Sequence, residues 1–243
     1  MNRQIQIPAH LQFDGTIPTE AAHQVLGELE VIETTPELSE WQKMRLGKIT
    51  ASRFGDIKYL KGSDKWGETA ITYLYDLMGE HLTGQPADVF GGSKATDWGE
   101  RFEPEALAEY TKRTGRKTRP AGFLQDPNMK LVGGTPDAFC GERGLIEVKC
   151  PLTFKNHLRT VISKEVPEEY KGQVLGHLML SGRDWCDFVS YDPRISGPQK
   201  LVIVRVRTEE QEAEMKALAT RIIAFHELLL QNMKRLKIKP YQP

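Results

Sequence analysis

Three residues in the middle of the chain have the types and the spacing of a site for a divalent metal ion. Asp137 precedes Glu147 with nine residues between them, and Lys149 stands two residues after Glu147. Successive side chains of a strand point to opposite faces, so Glu147 and Lys149 share a face if this segment is extended. Two carboxylates side by side repel each other unless a cation joins them. Oxygen ligands favour Mg²⁺ or Mn²⁺ over Zn²⁺.

The chemistry expected of such a site is hydrolysis of a phosphodiester. A bound divalent cation activates water and neutralises charge on the phosphate, and Lys149 would orient or deprotonate the attacking water. Glu103, next to Pro104, would add a third carboxylate for a second cation. The competing interpretation is a surface hairpin with a Glu–Lys ion pair, which contributes little to stability. Acid-x-Lys triplets are frequent by chance, so the spacing alone favours that interpretation.

A mixed α/β fold is expected to position these residues. Short apolar segments bounded by turn residues predict strands over residues 122–125, 129–132, 144–150, 185–191 and 200–207. Amphipathic patterns predict helices over residues 66–82, 94–114 and 167–181, and a long C-terminal helix. This order indicates a central mixed β-sheet flanked by helices. A hairpin turn at residues 141–144 would place Asp137 opposite Glu147.

Local signals predict where several helices begin or break. Ser39 with Gln42, and Thr208 with Gln211, have the spacing of capping boxes. Ser52 stands at the expected N-cap of a second short helix. Pro104 predicts either a kink just after Glu103 or the first turn of a new helix.

Length, charge and hydropathy limit the class of protein. The 243 residues predict a 39–243 single domain preceded by a 1–38 N-terminal extension. No apolar run approaches the roughly 18 residues of a membrane span, and the first residues lack a secretory signal, so we expect a cytoplasmic protein without membrane partners. The 33 basic and 33 acidic residues provide no net attraction for a polyanion. Contact with DNA would therefore depend on local basic clusters, notably those within residues 43–61 and 112–119.

Other reactive or aromatic residues are interpreted as structural. The three cysteines have neither disulfide nor metal-ligand spacing and are predicted to be buried, and the six histidines show no zinc-ligand spacing. His177, one turn after Gln173, could face the site, but the interpretation as a satisfied helix histidine is favoured. The four tryptophans are predicted to be core residues. Met44 and Leu46 are the candidates for a wedge that separates a terminal base pair.

Six short blocks of the chain resemble, in the same order, those of the bacteriophage lambda exonuclease and YqaJ-type viral recombinase family. The blocks occupy residues 45–52, 98–103, 134–137, 145–151, 172–174 and 191–194. Within them, Pro136-Asp137 followed by Glu147-x-Lys149 is similar to the motif of the PD-(D/E)XK nuclease superfamily. The resemblance implies a restriction-endonuclease-like core. Six blocks in order favour the catalytic interpretation over the chance hairpin.

The resemblance also implies an activity and a set of metal ligands. The expected enzyme is a processive exonuclease that degrades the 5′-ended strand of double-stranded DNA from its ends. The 3′ overhang would then serve a single-strand annealing protein in recombination. Asp137, Glu147 and the backbone carbonyl of Val148 would hold one Mg²⁺, and Glu103 would help to hold a second, with Mn²⁺ as a substitute. Lys149 would serve the nucleophilic water.

Further roles and partners follow from the same resemblance. Gln173 would lie near the catalytic residues, and Arg45 and Ser52 match the family's pocket for the DNA 5′-phosphate, a role that suits a guanidinium and a hydroxyl. A further basic contact has no counterpart, since Gly62 falls there; Lys58, Lys61 or Lys65 are the expected substitutes. The family forms a ring-shaped homotrimer around DNA. The resemblance to a viral family also implies a phage or prophage protein acting in a bacterial host. An endonuclease of the same superfamily and a non-catalytic DNA-end-binding module are the alternatives.

Overall fold

The computed structural model describes residues 38–87 and 94–241. Eight strands occur in these residues, numbered in chain order as β1 (Ile49–Thr50), β2 (Thr118–Pro120), β3 (Leu124–Gln125), β4 (Val132–Gly134), β5 (Ala138–Cys140), β6 (Gly144–Lys149), β7 (Trp185–Tyr191) and β8 (Leu201–Arg207). Residues 1–37 of the predicted N-terminal extension lie outside the described residues. The division of the chain into an extension and one domain therefore stays a prediction.

The strands form two mixed sheets. The larger has the order β2-β5-β6-β7-β8, in which only β6 and β7 are parallel neighbours. The smaller has the order β1-β4-β3, with β1 parallel to β4. The predicted central mixed sheet is confirmed, and the second sheet is an addition to it. Strands β3 and β4 overlap the predicted strands at residues 122–125 and 129–132, whereas β1 has two residues, too few for a periodic pattern to identify it.

Six α-helices are described: α1 (Glu40–Arg45), α2 (Glu68–Thr83), α3 (Lys94–Thr114), α4 (Phe154–Ser163), α5 (Glu168–Ser181) and α6 (Glu212–Leu236). Helices cover both faces of the larger sheet, as predicted. On one face, Ala106 and Tyr110 of α3 pack against Ile146 and Val148. On the other, Val174 and Leu178 of α5 pack against Leu145, Cys186 and Phe188. Among the described helices, none has the length and apolar character needed to cross a bilayer.

Helix α4 was not predicted from the sequence. Its run of β-branched residues, Thr160 to Ile162, has weak helix propensity, which explains why the pattern did not indicate a helix. Tertiary contacts hold it instead, because the buried His157 ring lies 2.8 Å from Ser190 Oγ through Nδ1 and 2.8 Å from the Gln199 carbonyl through Nε2. Together, α4 and α5 form the crossover that parallel strands β6 and β7 require.

The helix starts agree with the sequence only in part. The Ser39–Gln42 capping box is confirmed, with both reciprocal hydrogen bonds present. The Thr208 box is wrong, because the Thr208 hydroxyl donates to the Arg183 carbonyl and a 3₁₀ turn precedes α6. Ser52 is not an N-cap either, since it lies inside a 3₁₀ helix that follows Thr50.

Pro104 neither ends a helix nor begins one. Helix α3 runs continuously through it, although the missing proline N–H deprives the Glu100 carbonyl of its helical partner. The ring is exposed, and the following turns bury Ala106 and Tyr110 against the sheet. We attribute the continuity to this packing, which offsets the lost hydrogen bond.

Candidate active site

The β5–β6 hairpin brings the first two predicted site residues together. Ala138 pairs with Ile146 in the antiparallel register, so one further step places Asp137 opposite Glu147. The backbone N–H of Val148 donates to Asp137 Oδ2 over 2.6 Å, which ties the carboxylate to β6. The hairpin geometry expected from the turn at residues 141–144 is therefore present.

Glu147 and Lys149 form a buried ion pair on the face of β6 that is covered by α5. Lys149 Nζ lies 2.7 Å from Glu147 Oε1, and the Glu147 side chain is fully buried. Burial alone would raise the pKa of Glu147. The positive charge of Lys149 and the contact between Glu147 and His177 lower that pKa to about 2. Burial acts against the Lys149 charge, but Glu147 and Asp137 raise the pKa of Lys149 above its ordinary value. Its ammonium also lies 5.1 Å from the centre of the Tyr170 ring.

The other two predicted carboxylates experience an excess of negative charge. Burial, followed by repulsion from Glu147, raises the pKa of Asp137 well above its ordinary value. Burial, followed by repulsion from Glu147, also raises the pKa of Glu103 on α3. Burial with the nearby Glu103 and Asp137 raises the pKa of the Cys150 thiol to about 12. Acidic groups that are destabilised in their ionised forms are a chemical setting that favours a cation.

Unsatisfied buried atoms mark the same place. Within residues 38–87 and 94–241, five buried side-chain polar atoms lack a hydrogen-bond partner, and three of them belong to Thr135, Glu147 and His177. Glu147 Oε2 and His177 Nδ1 face each other at 3.0 Å, so these two atoms mark a contact of poor hydrogen-bond geometry between the two side chains rather than a place for a cation. The described residues contain no ready cluster of three acidic, histidine or cysteine ligands. The donor set fits a divalent cation, with Lys149 and the Val148 N–H now holding the two carboxylates.

Helix α5 contributes His177, a residue for which the sequence analysis favoured a structural interpretation. Gln173 is partly buried, and His177, one turn later on the same side of α5, lies against Glu147. His177 Nδ1 is 3.0 Å from Glu147 Oε2, and the His177 side chain is 1% exposed. The interpretation of His177 as a satisfied histidine is wrong, because Nδ1 has no partner of regular hydrogen-bond geometry. The only signal in the sequence was its i+4 spacing from Gln173.

Arg45 and Ser52 meet in a cleft of about 400 Å³ near the start of the described chain. Arg45 Nη2 lies 3.0 Å from Ser52 Oγ, and the guanidinium stacks 4.5 Å above the Trp41 ring. Lys48 and Arg53 line this cleft, whereas the expected substitutes Lys58, Lys61 and Lys65 do not. The identity of a further basic contact to the phosphate therefore stays a prediction.

Several interpretations of single residues can now be judged. The three cysteines are buried, as predicted. Trp41 is not a core residue, since it is 50% exposed at the mouth of the cleft. Leu46 is buried and cannot act as a wedge in this conformation, while Met44 is exposed. In the 112–119 cluster, Arg113 donates to the carbonyls of Pro198 and Leu201, so it supports the start of β8.

The fold and the site define a mixed α/β protein with a carboxylate–lysine centre at the end of a β-hairpin. Residues 40–184 match the model of the YqaJ-like viral recombinase domain. This match covers more than half of the chain, and the chain therefore belongs to the YqaJ-like viral recombinase family. All the candidate catalytic residues lie within the matched region.

Similar structures support the same grouping. An alkaline exonuclease of Laribacter hongkongensis, LHK-Exo, is 33% identical with a TM-score of 0.71, over 82% of this chain and 95% of that one. LHK-Exo in complex with dAMP is 30% identical with a TM-score of 0.68, over 82% and 97% of the two chains. A phage-related exonuclease of Haemophilus somnus, 19% identical over 76% and 96% with a TM-score of 0.58, shares the fold.

One curated relative is a viral protein. Uncharacterized protein R354 of Acanthamoeba polyphaga mimivirus is 25% identical over 177 residues. The aligned region covers 66% of this chain and 30% of that protein, so the chain spans about a third of the length of the curated relative.

Proposed function

We propose that the protein is a Mg²⁺-dependent exonuclease that degrades the 5′-ended strand of double-stranded DNA. The observation that carries this proposal is the placement of Asp137, Glu147 and Lys149 at one end of the β5–β6 hairpin. Membership of the YqaJ-like family and similarity to LHK-Exo, described as an alkaline exonuclease, support a nuclease acting at DNA ends. The complex of LHK-Exo with dAMP supports a site of nucleotide size.

The residues of the site have distinct roles in this proposal. Asp137, Glu147 and the Val148 carbonyl would hold Mg²⁺ or Mn²⁺, and Glu103 would help to hold a second ion. When bound, the cations would supply a polarised water and charge neutralisation at the phosphate. The Lys149 ammonium, held beside the carboxylates by Glu147, would orient that water and steady the phosphate oxygens. Gln173, on the helix α5 that covers this face of β6, would lie near Lys149 and the attacking water.

The cleft around Arg45 would bind the terminal 5′-phosphate of the degraded strand. Arg45 and Ser52 present a guanidinium and a hydroxyl 3.0 Å apart, and Lys48 adds positive charge, whereas Arg53 is paired with Asp56 and Asp76. Burial lowers the pKa of Arg45 without making it a base, so the cleft keeps its positive charge at neutral pH. Among the described residues, the side-chain hydrogen bonds of Arg45 go to the hydroxyls of Thr50 and Ser52, so its charge is open to an anionic ligand.

The proposal includes partners that the family resemblance implies. We propose a ring-shaped homotrimer that encloses DNA, which would allow a chain with 33 basic and 33 acidic residues to remain on its substrate. The 3′ overhang would be passed to a single-strand annealing protein in the cytoplasm of a bacterial host. Basic residues within 43–61 or 112–119 would line the channel.

Digestion of end-labelled duplexes tests the activity and its polarity. We expect release of label from the 5′ end first, faster digestion of 5′-phosphorylated ends, and no digestion in EDTA. Covalently closed circular DNA should stay intact under the same conditions. Cleavage of the circle would instead identify an endonuclease, and end binding without cleavage would identify a non-catalytic module.

Arg45→Ala should remove the preference for a 5′-phosphate while cleavage of unphosphorylated ends continues.

A further inference from the structure

The buried carboxylate of Glu147 has a nitrogen-bearing side chain against each of its oxygens. Lys149 contacts Oε1 over 2.7 Å from the open side of the site. His177, from α5, lies 3.0 Å from Oε2 on the buried side, where the two side chains are 1% exposed or less. The His177 contact is therefore shielded from water, while Lys149 remains a quarter exposed.

The two atoms of the His177–Glu147 contact depend on each other. Neither Nδ1 nor Oε2 has another hydrogen-bond partner in the described part of the chain. A buried donor or acceptor without a partner costs about 1–3 kcal/mol, so each atom is best satisfied by the other. The carboxylate can only accept, which places the imidazole proton on Nδ1.

The imidazole ring packs closely against strand β4. A Cβ atom at Gly134 would meet Ala51 Cβ at 2.7 Å and the His177 ring at 3.1 Å, so glycine at this position allows the close approach. One residue before His177, a Cβ atom at Gly176 would meet the Phe54 ring at 2.4 Å. Helix α5 therefore packs closely against β4 and the 3₁₀ helix, and His177 is buried in that contact.

We propose that His177 is a positioning residue that orients Glu147 as a metal ligand, an inference that rests on the proposed nuclease function. The three N–H donors of Lys149 would be shared among Glu147, the attacking water and the phosphate, whereas the buried His177 Nδ1 faces Glu147 alone. His177 is therefore the contact that can hold the carboxylate in place throughout the reaction. Polar groups behind a metal ligand orient it, and their removal typically weakens metal binding by about 10–100-fold.

Mn²⁺ binding to the full-length protein without DNA tests the role of His177. Titration followed by electron paramagnetic resonance should show about 10–100-fold weaker binding to His177→Gln, whose amide reproduces the position of Nε2 but not of Nδ1. His177→Asn places an amide nitrogen near the position of Nδ1, and its affinity should stay within about threefold of the unsubstituted protein. Rescue by asparagine alone would separate orientation of Glu147 from a general packing role.

Two controls make each outcome decisive. His81→Asn removes another buried histidine, one that contacts Tyr241 N, and should change stability without changing Mn²⁺ affinity. Asp137→Asn removes a proposed ligand and should abolish the tight Mn²⁺ site. Equal affinities for His177→Gln and the unsubstituted protein, or equal losses for His177→Gln and His177→Asn, would overturn the positioning role. Unchanged binding by Asp137→Asn would instead overturn the metal site and with it the proposed function.

Discussion

Two buried carboxylates on neighbouring strands of the larger sheet have opposite environments. Asp187 of β7 accepts hydrogen bonds from Arg205 through both oxygens and from the Tyr110 hydroxyl, each over 2.7 Å. Glu147 of β6 is equally buried, but one of its oxygens lacks a regular hydrogen bond and Asp137 adds a second negative charge beside it. The two carboxylates are buried to the same extent, but only Asp187 has regular hydrogen bonds at both of its oxygens.

This difference separates a structural charge from a site. A buried charge stabilises or at least does not disrupt a fold when its partners are complete, as they are around Asp187. Incomplete partners cost free energy, and a protein retains such an arrangement where a ligand completes it. The predictions below test whether the Asp187 network affects only stability and the Glu147 network affects cleavage.

The largest expected effect is on catalysis. Lys149→Ala should lower the rate of duplex digestion by roughly 10²–10³-fold, because it removes the ammonium proposed to orient the attacking water and to steady the phosphate oxygens. Single-turnover digestion of a labelled duplex measures the rate, and a gel-shift assay should show that DNA-end binding remains. Lys171→Ala, which removes an exposed lysine paired with Glu168, is the matched control and should leave the rate unchanged. Undiminished digestion by Lys149→Ala would contradict the catalytic assignment.

Breaking the Asp187 network should affect stability alone. Arg205→Leu leaves a carboxylate that is 1% exposed without its charged partner, which typically costs about 3–5 kcal/mol. Urea denaturation measures the loss in the free energy of unfolding. The Mn²⁺ affinity of the folded fraction should stay the same, because Asp187 lies on the α3 face of the sheet, away from the carboxylate of Glu147. A matching loss of Mn²⁺ affinity would mean that the two networks are coupled.

The third prediction concerns the pH dependence of the metal-free protein. The pKa of Asp137 is raised by burial and by Glu147, so the folded state holds a proton that the unfolded state has released. Stability therefore falls as the pH rises from the ordinary carboxylate pKa through the raised one. Above that window Asp137→Asn should stabilise the fold, and below it the gain should disappear.

Thermal denaturation in EDTA across a series of pH values measures this effect. Asp184→Asn, at a surface ion pair with Arg143, serves as the control and should not reproduce the pH-dependent gain. An Asp137→Asn variant that is less stable at every pH would show that the Asp137 carboxylate is a structural group like Asp187.

The smallest effect is expected at an exposed ion pair. Arg143 pairs with Asp184, and its side chain is 80% exposed. Arg143→Ala should change the free energy of unfolding by no more than about 1 kcal/mol, because solvent screens such pairs. The same urea denaturation provides the measurement. A loss comparable to that of Arg205→Leu would show that burial is not what distinguishes these networks.

Much of the fold could be predicted because its signals are local. Strand β7 was predicted with the observed bounds, and the Ser39 capping box with both of its bonds. Helix α4 and strands β1 and β2 were missed, because long-range contacts such as His157 with Ser190 and Gln199 hold them. The Thr208 box failed for the same reason, since a carbonyl distant in sequence takes the hydroxyl.

The sequence by itself determined the chemistry of the candidate site. The alternation of side chains on a strand and the spacing across one hairpin turn are properties of the local backbone, so Asp137, Glu147 and Lys149 could be grouped without a fold. Only the tertiary structure decided which groups complete them. His177 reaches Glu147, and Arg53 reaches the Arg45 cleft, through the packing of α5 and of the 3₁₀ helix. Such contacts depend on the shapes of many side chains at once, and no single spacing in the chain encodes them.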